Sequence, residues 1–421
     1  MNASLKILLS AYACEPKRGS EPGVGWHWAI ELSRLGHEVW VLTRANNRQA
    51  TEASFLQCPK PANLHFLYYD LPAGARWWKK GGRGVHLYYL LWQWGAYRFA
   101  KQENKRNHFD LVHHVTFVSV RQPSFMGNLG IPFIFGPVAG GERAPWRLRL
   151  GYGLRGFLLD ALRDFANLLV RVDPFMRRNF KQASKIYATS EQTRALIPQK
   201  YRHKVFVQLG IDIGEEMMNK STPVKLDRLE EKSKPLLVLY VGRFVYWKGM
   251  HLGLRAFAQL VASGVDARLT MVGKGPDKKR WQKLSAKLGI EGRIEWIPWV
   301  SREELSAIYA GHDIFLFPSL HDSGGMVVLE AMAHGLPVIC LKLGGPGKIV
   351  NKSCGVVIET SYRTQNEIVK ELASAFNFLI NKQKYAQTSH GALHFSQRNQ
   401  WISFLKSIYT KGKLPDIHNI T

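Results

Sequence analysis

Apolar runs without period-two alternation recur along this chain, and each is followed by a turn and an amphipathic segment. KILLSAY leads into the loop CEPKRGSEPGVG, then a helical pattern over 26–35, then HEVWVLTR. Beyond residue 235 the order returns: LLVLYVGR, a loop reaching Gly249, the amphipathic MHLGLRAFAQLVAS, then ARLTMVGKGP and a helical pattern over 278–288. RIEWIPWV, DIFLFPS and LPVICLK extend the second series. A strand that is apolar at every position is buried on both faces, as a parallel strand covered by helices on each side must be. Two such series in tandem predict an α/β chain with two doubly wound, Rossmann-like domains. The 421 residues agree, because single cores stop growing at about 250–300 residues.

The polar stretch 209–235 has no strand pattern and marks the expected joint, which gives domains over 1–208 and 209–395. The tail, 396–421, carries an apolar stripe at Trp401, Phe404, Leu405, Ile408 and Tyr409. That stripe predicts a helix packed back on the first domain. ILLSAYAC after Lys6 is short for a secretory leader and has no small-residue cleavage site, so it reads as a first buried strand. No run approaches the roughly 18 apolar residues that would suggest a spanning helix.

Charge narrows the partners. Lys and Arg number 58 against 32 acidic residues, a formal net charge of +26. The imbalance is larger before Gly210, with 30 basic and 13 acidic residues. Such a field draws anions: phosphorylated substrates, anionic lipid or nucleic acid. One segment concentrates it. Residues 76–108 hold eight aromatic side chains and eight Lys or Arg with a single Glu. Trp and Tyr among cations suit an interfacial helix on an anionic bilayer, and equally a core helix with solvated basic flanks. None of the recognised nucleic-acid-binding motifs is present, so nucleic acid is not an expected partner. The four cysteines, Cys14, Cys58, Cys340 and Cys354, form no C-x-x-C pair and suit a reduced, cytoplasmic compartment.

The chemistry lies in two stretches of the second series. In HDSGGMVVLEAMAHGLPV (321–338), Asp322 precedes a Gly pair, and Glu330 follows about two helical turns into an apolar helix. Glycines let backbone approach a ligand, and N–H groups at a helix N-terminus favour phosphate oxygens. In VGRFVYWKG (241–249), Arg243 and Lys248 follow a buried strand at its C-terminal end, where α/β sheets bind ligands. A fixed guanidinium fork and a mobile ammonium there suit a diphosphate.

The order GSEPGVG, VGR with KG, VGKGP, then acid-x7-Glu-AMAHGLPV resembles family 4 of the retaining glycosyltransferases, of the GT-B fold with the active site in the cleft between two Rossmann-like domains. The resemblance spans nearly the whole chain and is most specific in PSLHDSGGMVVLEAMAHGLPVI. It implies that Arg243 and Lys248 hold the donor diphosphate, that Glu330 binds ribose hydroxyls, and that Asp322, Gly324, Gly325 and Met326 hold the sugar and pyrophosphate. Asp322 stands where the family usually has Glu, a carboxylate shorter by one methylene. Gly242, with Gly273 and Gly275 of the G-x-G turn, would lie at the nucleotide, and Lys274 replaces a frequent Asp. Gly23 and Gly25 match the Gly-rich loop facing the acceptor side, and Glu142 of GPVAGGE is a further candidate there. A His ending the fourth strand would lie near the transferred sugar. Here HHV offers His114, the preferred candidate, and His113, whose rings should point to opposite faces of the sheet.

The resemblance implies transfer from a UDP- or GDP-sugar co-substrate, with retention, without a metal and without a further cofactor; no D-x-D motif occurs. The expected acceptor is a lipid-linked saccharide of a bacterial surface polysaccharide, met at the inner face of the cell membrane. The alternatives are a soluble acceptor, as for a sugar synthase, or a basic nucleic-acid- or anion-binding protein without catalysis.

Overall fold

The computed structural model describes residues 4–76, 78, 84–209, 234–397 and 400–409. Its strands are β1 (Lys6–Ser10), β2 (Glu38–Arg44), β3 (Leu64–Tyr69), β4 (Leu111–His114), β5 (Phe133–Val138), β6 (Lys185–Ala188), β7 (Val205–Val207), β8 (Leu236–Val241), β9 (Ala267–Val272), β10 (Ile294–Ile297), β11 (Ile314–Phe317), β12 (Val338–Leu341) and β13 (Gly355–Ile358). The helices that matter below are α1 (Ser20–Arg34), α2 (Val85–Asn107), α3 (Gly153–Leu169), α4 (Met250–Ala262), α5 (Arg302–Gly311), α6 (Met326–Ala333) and α7 (Gln400–Tyr409). The chain divides into two compact units, 1–141 with 165–212 and 400–421, and 142–164 with 213–399.

The first unit holds a seven-stranded sheet in the order β3-β2-β1-β4-β5-β6-β7, and every pairing is parallel. Alternation sorts its core. Leu8 faces Tyr89, Trp92 and the rest of the α2 side, while Ile7 and Leu9 face Trp28 of α1 and Leu405, Ile408 and Tyr409 of α7. The second unit holds a six-stranded parallel sheet in the order β10-β9-β8-β11-β12-β13. The chain therefore forms two doubly wound α/β sheets. In each, the order reverses once, between β1 and β4 and between β8 and β11. Crevices at such switch points, beyond the C-terminal ends of the strands, are where open α/β sheets take ligands.

Two expectations need correction, and one open pair of readings gains an observation. The loop reading of GSEPGVG is wrong, because α1 begins at Ser20, six residues early. Pro22 falls in the first turn, where its missing N–H costs nothing. Gly23 and Gly25 are there for packing: a Cβ on either would overlap the carbonyl oxygen of Arg18 or of Ala13. Second, residues 142–164 group with the second unit and not with 1–208. An internal ion-pair network, described below, ties them to it. Of the two readings of 76–108, the core helix gains support, since α2 buries Tyr88, Tyr89, Trp92 and Ala96 in the first unit's core. Three of its six aromatics are thus core residues, while Trp94 is exposed and Tyr97 and Phe99 are half-buried; Trp77 and residues 79–83 lie outside the described residues.

Candidate functional site

Loops after β8, β9, β11 and β12 meet in the second unit, and glycines set how closely they approach. Gly242 donates its N–H to the Val272 carbonyl at 3.0 Å, and Gly273 donates to Ile297 at 3.0 Å. Gly273 has φ +141, and a Cβ there would overlap the Gly242 carbonyl oxygen; one on Gly275 would overlap that of Phe244. Phe244 N–H completes the clasp on the Lys274 carbonyl at 2.9 Å, while the Lys274 side chain is exposed. These three glycines therefore have a packing reason that holds with or without a nucleotide. Gly249, at φ +69, then lets the turn Tyr246–Lys248 run into α4 against the Pro318 carbonyl.

That turn delivers Lys248 to Asp322. The ammonium is ion-paired with Asp322 Oδ2, and it lies 4.7 Å above the centre of the Phe317 ring. Asp322 Oδ1 accepts the N–H groups of Gly324 at 3.2 Å and Gly325 at 3.1 Å. Gly325, at φ +84, is the cap from which Met326 starts α6. The Asp322 carbonyl accepts from Gly345 N at 2.8 Å, and Gly344 packs so closely on it that a Cβ there would overlap it. Burial pushes the Asp322 carboxyl up, but Lys248 and the two N–H groups outweigh it and hold the pKa below the ordinary value. The cradle is thus an anion site: a cation, two backbone donors and a helix N-terminus, with a side-chain carboxylate in it. Arg243 stands exposed at the end of β8, and its guanidinium makes no ion pair among the described residues.

Glu330 is buried on α6 with partners of its own. Oε2 accepts from Tyr309 Oη at 3.1 Å, and Oε1 lies 3.8 Å from Arg302 Nη2 of α5. Burial raises its pKa, against the opposing pull of Arg302 and Tyr309. Asp322 and Glu330 therefore share one helix and its entry loop but not a partner. Sequence reasoning misses Trp247, Tyr309, Arg302, Gly344 and Gly345. Only the Gly344–Gly345 pair, after an apolar run, carries a signal.

The segment 142–164 supplies a charged floor beside this loop. Arg149 Nη1 reaches Asp160 at 3.1 Å and Asp164 at 2.8 Å, and Arg163 Nη2 lies 3.0 Å from Asp160. His321 Nε2 lies between two of these groups, 2.5 Å from Arg163 Nη1 and 3.5 Å from Asp160 Oδ1. His321 stacks on Trp247, with centroids 5.2 Å apart. Burial holds its pKa below the usual value. Asp160 stays low as well, because His321, Arg163 and Arg149 outweigh its own burial. Glu142, expected on the acceptor side of the first domain, is buried in this second unit and adds to the field at His321.

In the first unit, His113 and His114 do face opposite sides of the sheet, but neither reaches the surface. His113 Nε2 donates to the Gly136 carbonyl at 2.9 Å, and Nδ1 pairs with Tyr409 Oη. His114 has Ser10 Oγ at Nδ1, 2.9 Å, and Tyr89 Oη at Nε2, 2.8 Å. Both are fully buried, and burial pushes both pKa values down to about 3. They are satisfied core histidines, which corrects the expectation that one is open to a substrate. The reason is the lining of each face: α7 covers one and α2 the other.

Residues 222–389 match the family model described as glycosyl transferases group 1. Over 214 residues the chain is 27% identical to the D-inositol 3-phosphate glycosyltransferase of Corynebacterium aurimucosum, covering 46% of this chain and 49% of that protein. Over 125 residues it is 34% identical to the lipopolysaccharide core biosynthesis glycosyltransferase LpsE of Rhizobium meliloti, covering 29% of this chain and 35% of the relative. The chain thus spans half or less of the length of these relatives. The structure of Anabaena Alr3699/HepE in complex with UDP-glucose covers 96% of this chain and 100% of that one, with a TM-score of 0.56 and 18% identity. Residues 222–389 thus resemble the glycosyl transferases group 1, and the fold of the chain, two parallel α/β sheets, is that of solved GT-B glycosyltransferases.

Proposed function

We propose that this protein is a retaining glycosyltransferase of the family 4 type, moving a hexosyl unit from a nucleotide-diphosphate sugar to a lipid-linked surface-polysaccharide acceptor. The observation that carries it is the meeting of Lys248, Asp322 and the α6 N-terminus at the switch point of the second sheet, with Arg243 exposed on the adjoining loop. In this reading the donor diphosphate takes Lys248 and Arg243 as its countercharge, and these fixed cations do the work a metal would otherwise do. Asp322 gives up part of its ion pair and turns to the sugar hydroxyls. Glu330, held by Tyr309 and Arg302, is the candidate for the ribose.

The bond from the anomeric carbon to the leaving phosphate oxygen breaks through an oxocarbenium-like state. The acceptor oxygen bonds to the same face of that carbon, and its proton passes to the departing phosphate oxygen. Lys248 and Arg243 stabilise the charge growing on that phosphate. HepE, which has this fold, has been solved with UDP-glucose, which favours a UDP-sugar as first candidate donor. LpsE, by its name, acts in lipopolysaccharide core synthesis, and the charge of +26 suits work at the anionic inner face of the cell membrane. Among the described residues no helix is long and apolar enough to cross a membrane.

The test is a thermal-shift panel of UDP- and GDP-sugars, followed by transfer or slow donor hydrolysis with the one that protects. Protection by one nucleotide class, lost in Glu330→Ala, is the expected result. No protection by any nucleotide sugar would sink the reading, and salt-sensitive DNA binding in its place would favour a nucleic-acid-binding protein.

A further inference from the structure

Helix α3 is built inside out. Four of its five polar positions face the protein: Asp160 and Asn167 are buried, and Arg163 and Asp164 join the ion-pair network with Arg149. Its apolar positions face outward. Leu154, Phe157, Leu158, Leu162, Phe165 and Leu169 follow the three- and four-residue spacing of one helix face, and they are 41–78% exposed. A helix that packs only to bury apolar surface would show the reverse arrangement. Contiguous exposed apolar surface on a folded protein marks a contact site.

Charge selects the occupant. Arg143, Arg147, Arg155, Arg171, Arg177 and Arg178, in the chain just before, within and just after α3, are all exposed. Over 143–178 no acidic side chain is exposed: Asp160 and Asp164 lie in the network, and Asp173 caps the helix that follows α3. Trp146, 63% exposed, stands just ahead of α3. A symmetric contact with a second copy would set this arginine-rich segment against itself. An anionic bilayer instead offers hydrocarbon for the leucines and phenylalanines, headgroup phosphates for the arginines and an interface for Trp146.

We propose that the outward face of α3, with its flanking arginines, is the surface by which this protein lies in the headgroup–acyl boundary of an anionic membrane. The inference goes beyond the donor-site reading and does not depend on it. It also moves the membrane contact from 76–108, where the sequence pattern suggests a candidate, to a helix that the polar network pins in orientation.

The test sediments the full-length protein with sucrose-loaded phosphatidylcholine vesicles, with and without phosphatidylglycerol. The parent should bind the anionic vesicles and release with salt. Leu158→Glu combined with Leu162→Glu should lower partitioning at least about tenfold, since each change removes an inserted apolar side chain. The same variant should keep the parent's melting temperature and its protection by nucleotide sugars, which separates failure here from failure of the donor reading. Equal binding by variant and parent would place the contact elsewhere and overturn the proposal, as would no vesicle binding by the parent. A parent dimer that the variant converts to a monomer in light scattering would assign the face to a second copy and overturn it equally. As a second readout, a polarity-sensitive dye on Leu162→Cys, with the exposed Cys58 changed to Ser, should shift to the blue in bound protein; an unshifted spectrum refutes insertion.

Discussion

Replacing Lys248 by Met keeps the length and apolar contacts of the stem over Phe317 and deletes the charge. Two effects follow, and their sizes differ. The side chains of Lys248 and Asp322 are only 14% and 17% exposed, so the pair is partly shielded. Removing one partner of a well-buried pair costs about 3–5 kcal/mol. Asp322 retains its two N–H donors here, so about 2 kcal/mol is the expected loss of stability. Catalysis should suffer more. A fixed donor aimed at developing charge is worth about 10²–10³ in kcat, and the loss should appear in kcat and kcat/KM together. The assay is product formation at saturating donor, with near-ultraviolet circular dichroism confirming the fold. A pH series adds an internal check. In the parent, the depressed Asp322 pKa contributes stability above its unfolded value of about 3.9, lost as pH falls through the folded value. Without Lys248 that depression shrinks, because burial, the largest influence, pushes the other way. The acid limb of the stability curve should therefore flatten. A folded Lys248→Met enzyme with kcat within about threefold of the parent would refute the diphosphate role.

Two further outcomes test the scaffold. Gly273→Ala sets a Cβ against the Gly242 carbonyl at a φ of +141 and should destabilise the second unit by about 2–4 kcal/mol, read by chemical denaturation; an unchanged midpoint would show that the clasp between the two loops is soft. His113, His114 and His251 are each pushed down to about 3 by burial. The unfolded chain binds these protons first as pH falls below about 6.5, so stability should drop between about pH 6.5 and 3, by about 1.4 kcal/mol per unit for each fully titrating ring. Stability flat from about pH 7 to 5 would mean that the rings are open to water.

Much of this is legible in one dimension. Runs such as LLVLYV and IFLF name buried parallel strands because only a strand covered on both faces tolerates apolar residues at every position. β3, β6, β7 and β13 escape such a reading, being short or half-exposed, so that their patterns are weak. The switch-point loops are legible because glycines, cations and an acid crowd the strand ends. Lys248 and Asp322 stand out separately, and a separation of 74 positions gives no hint that they touch.

What can be read along the chain is local chemistry: strand periodicity, the second helix start after Gly325, the tandem α/β class and the cationic loop. What emerges only on folding depends on which element covers which face. GSEPGVG folds as the start of α1 despite its glycines, which stand at 23 and 25 because neighbouring carbonyls leave no room there for a side chain. His113 and His114 are closed off because α7 and α2 cover the two faces of β4. The leucines of α3 point outward because its aspartates and arginines have a buried network to satisfy. Leaving those charges unpaired inside the protein would cost more than leaving apolar surface exposed.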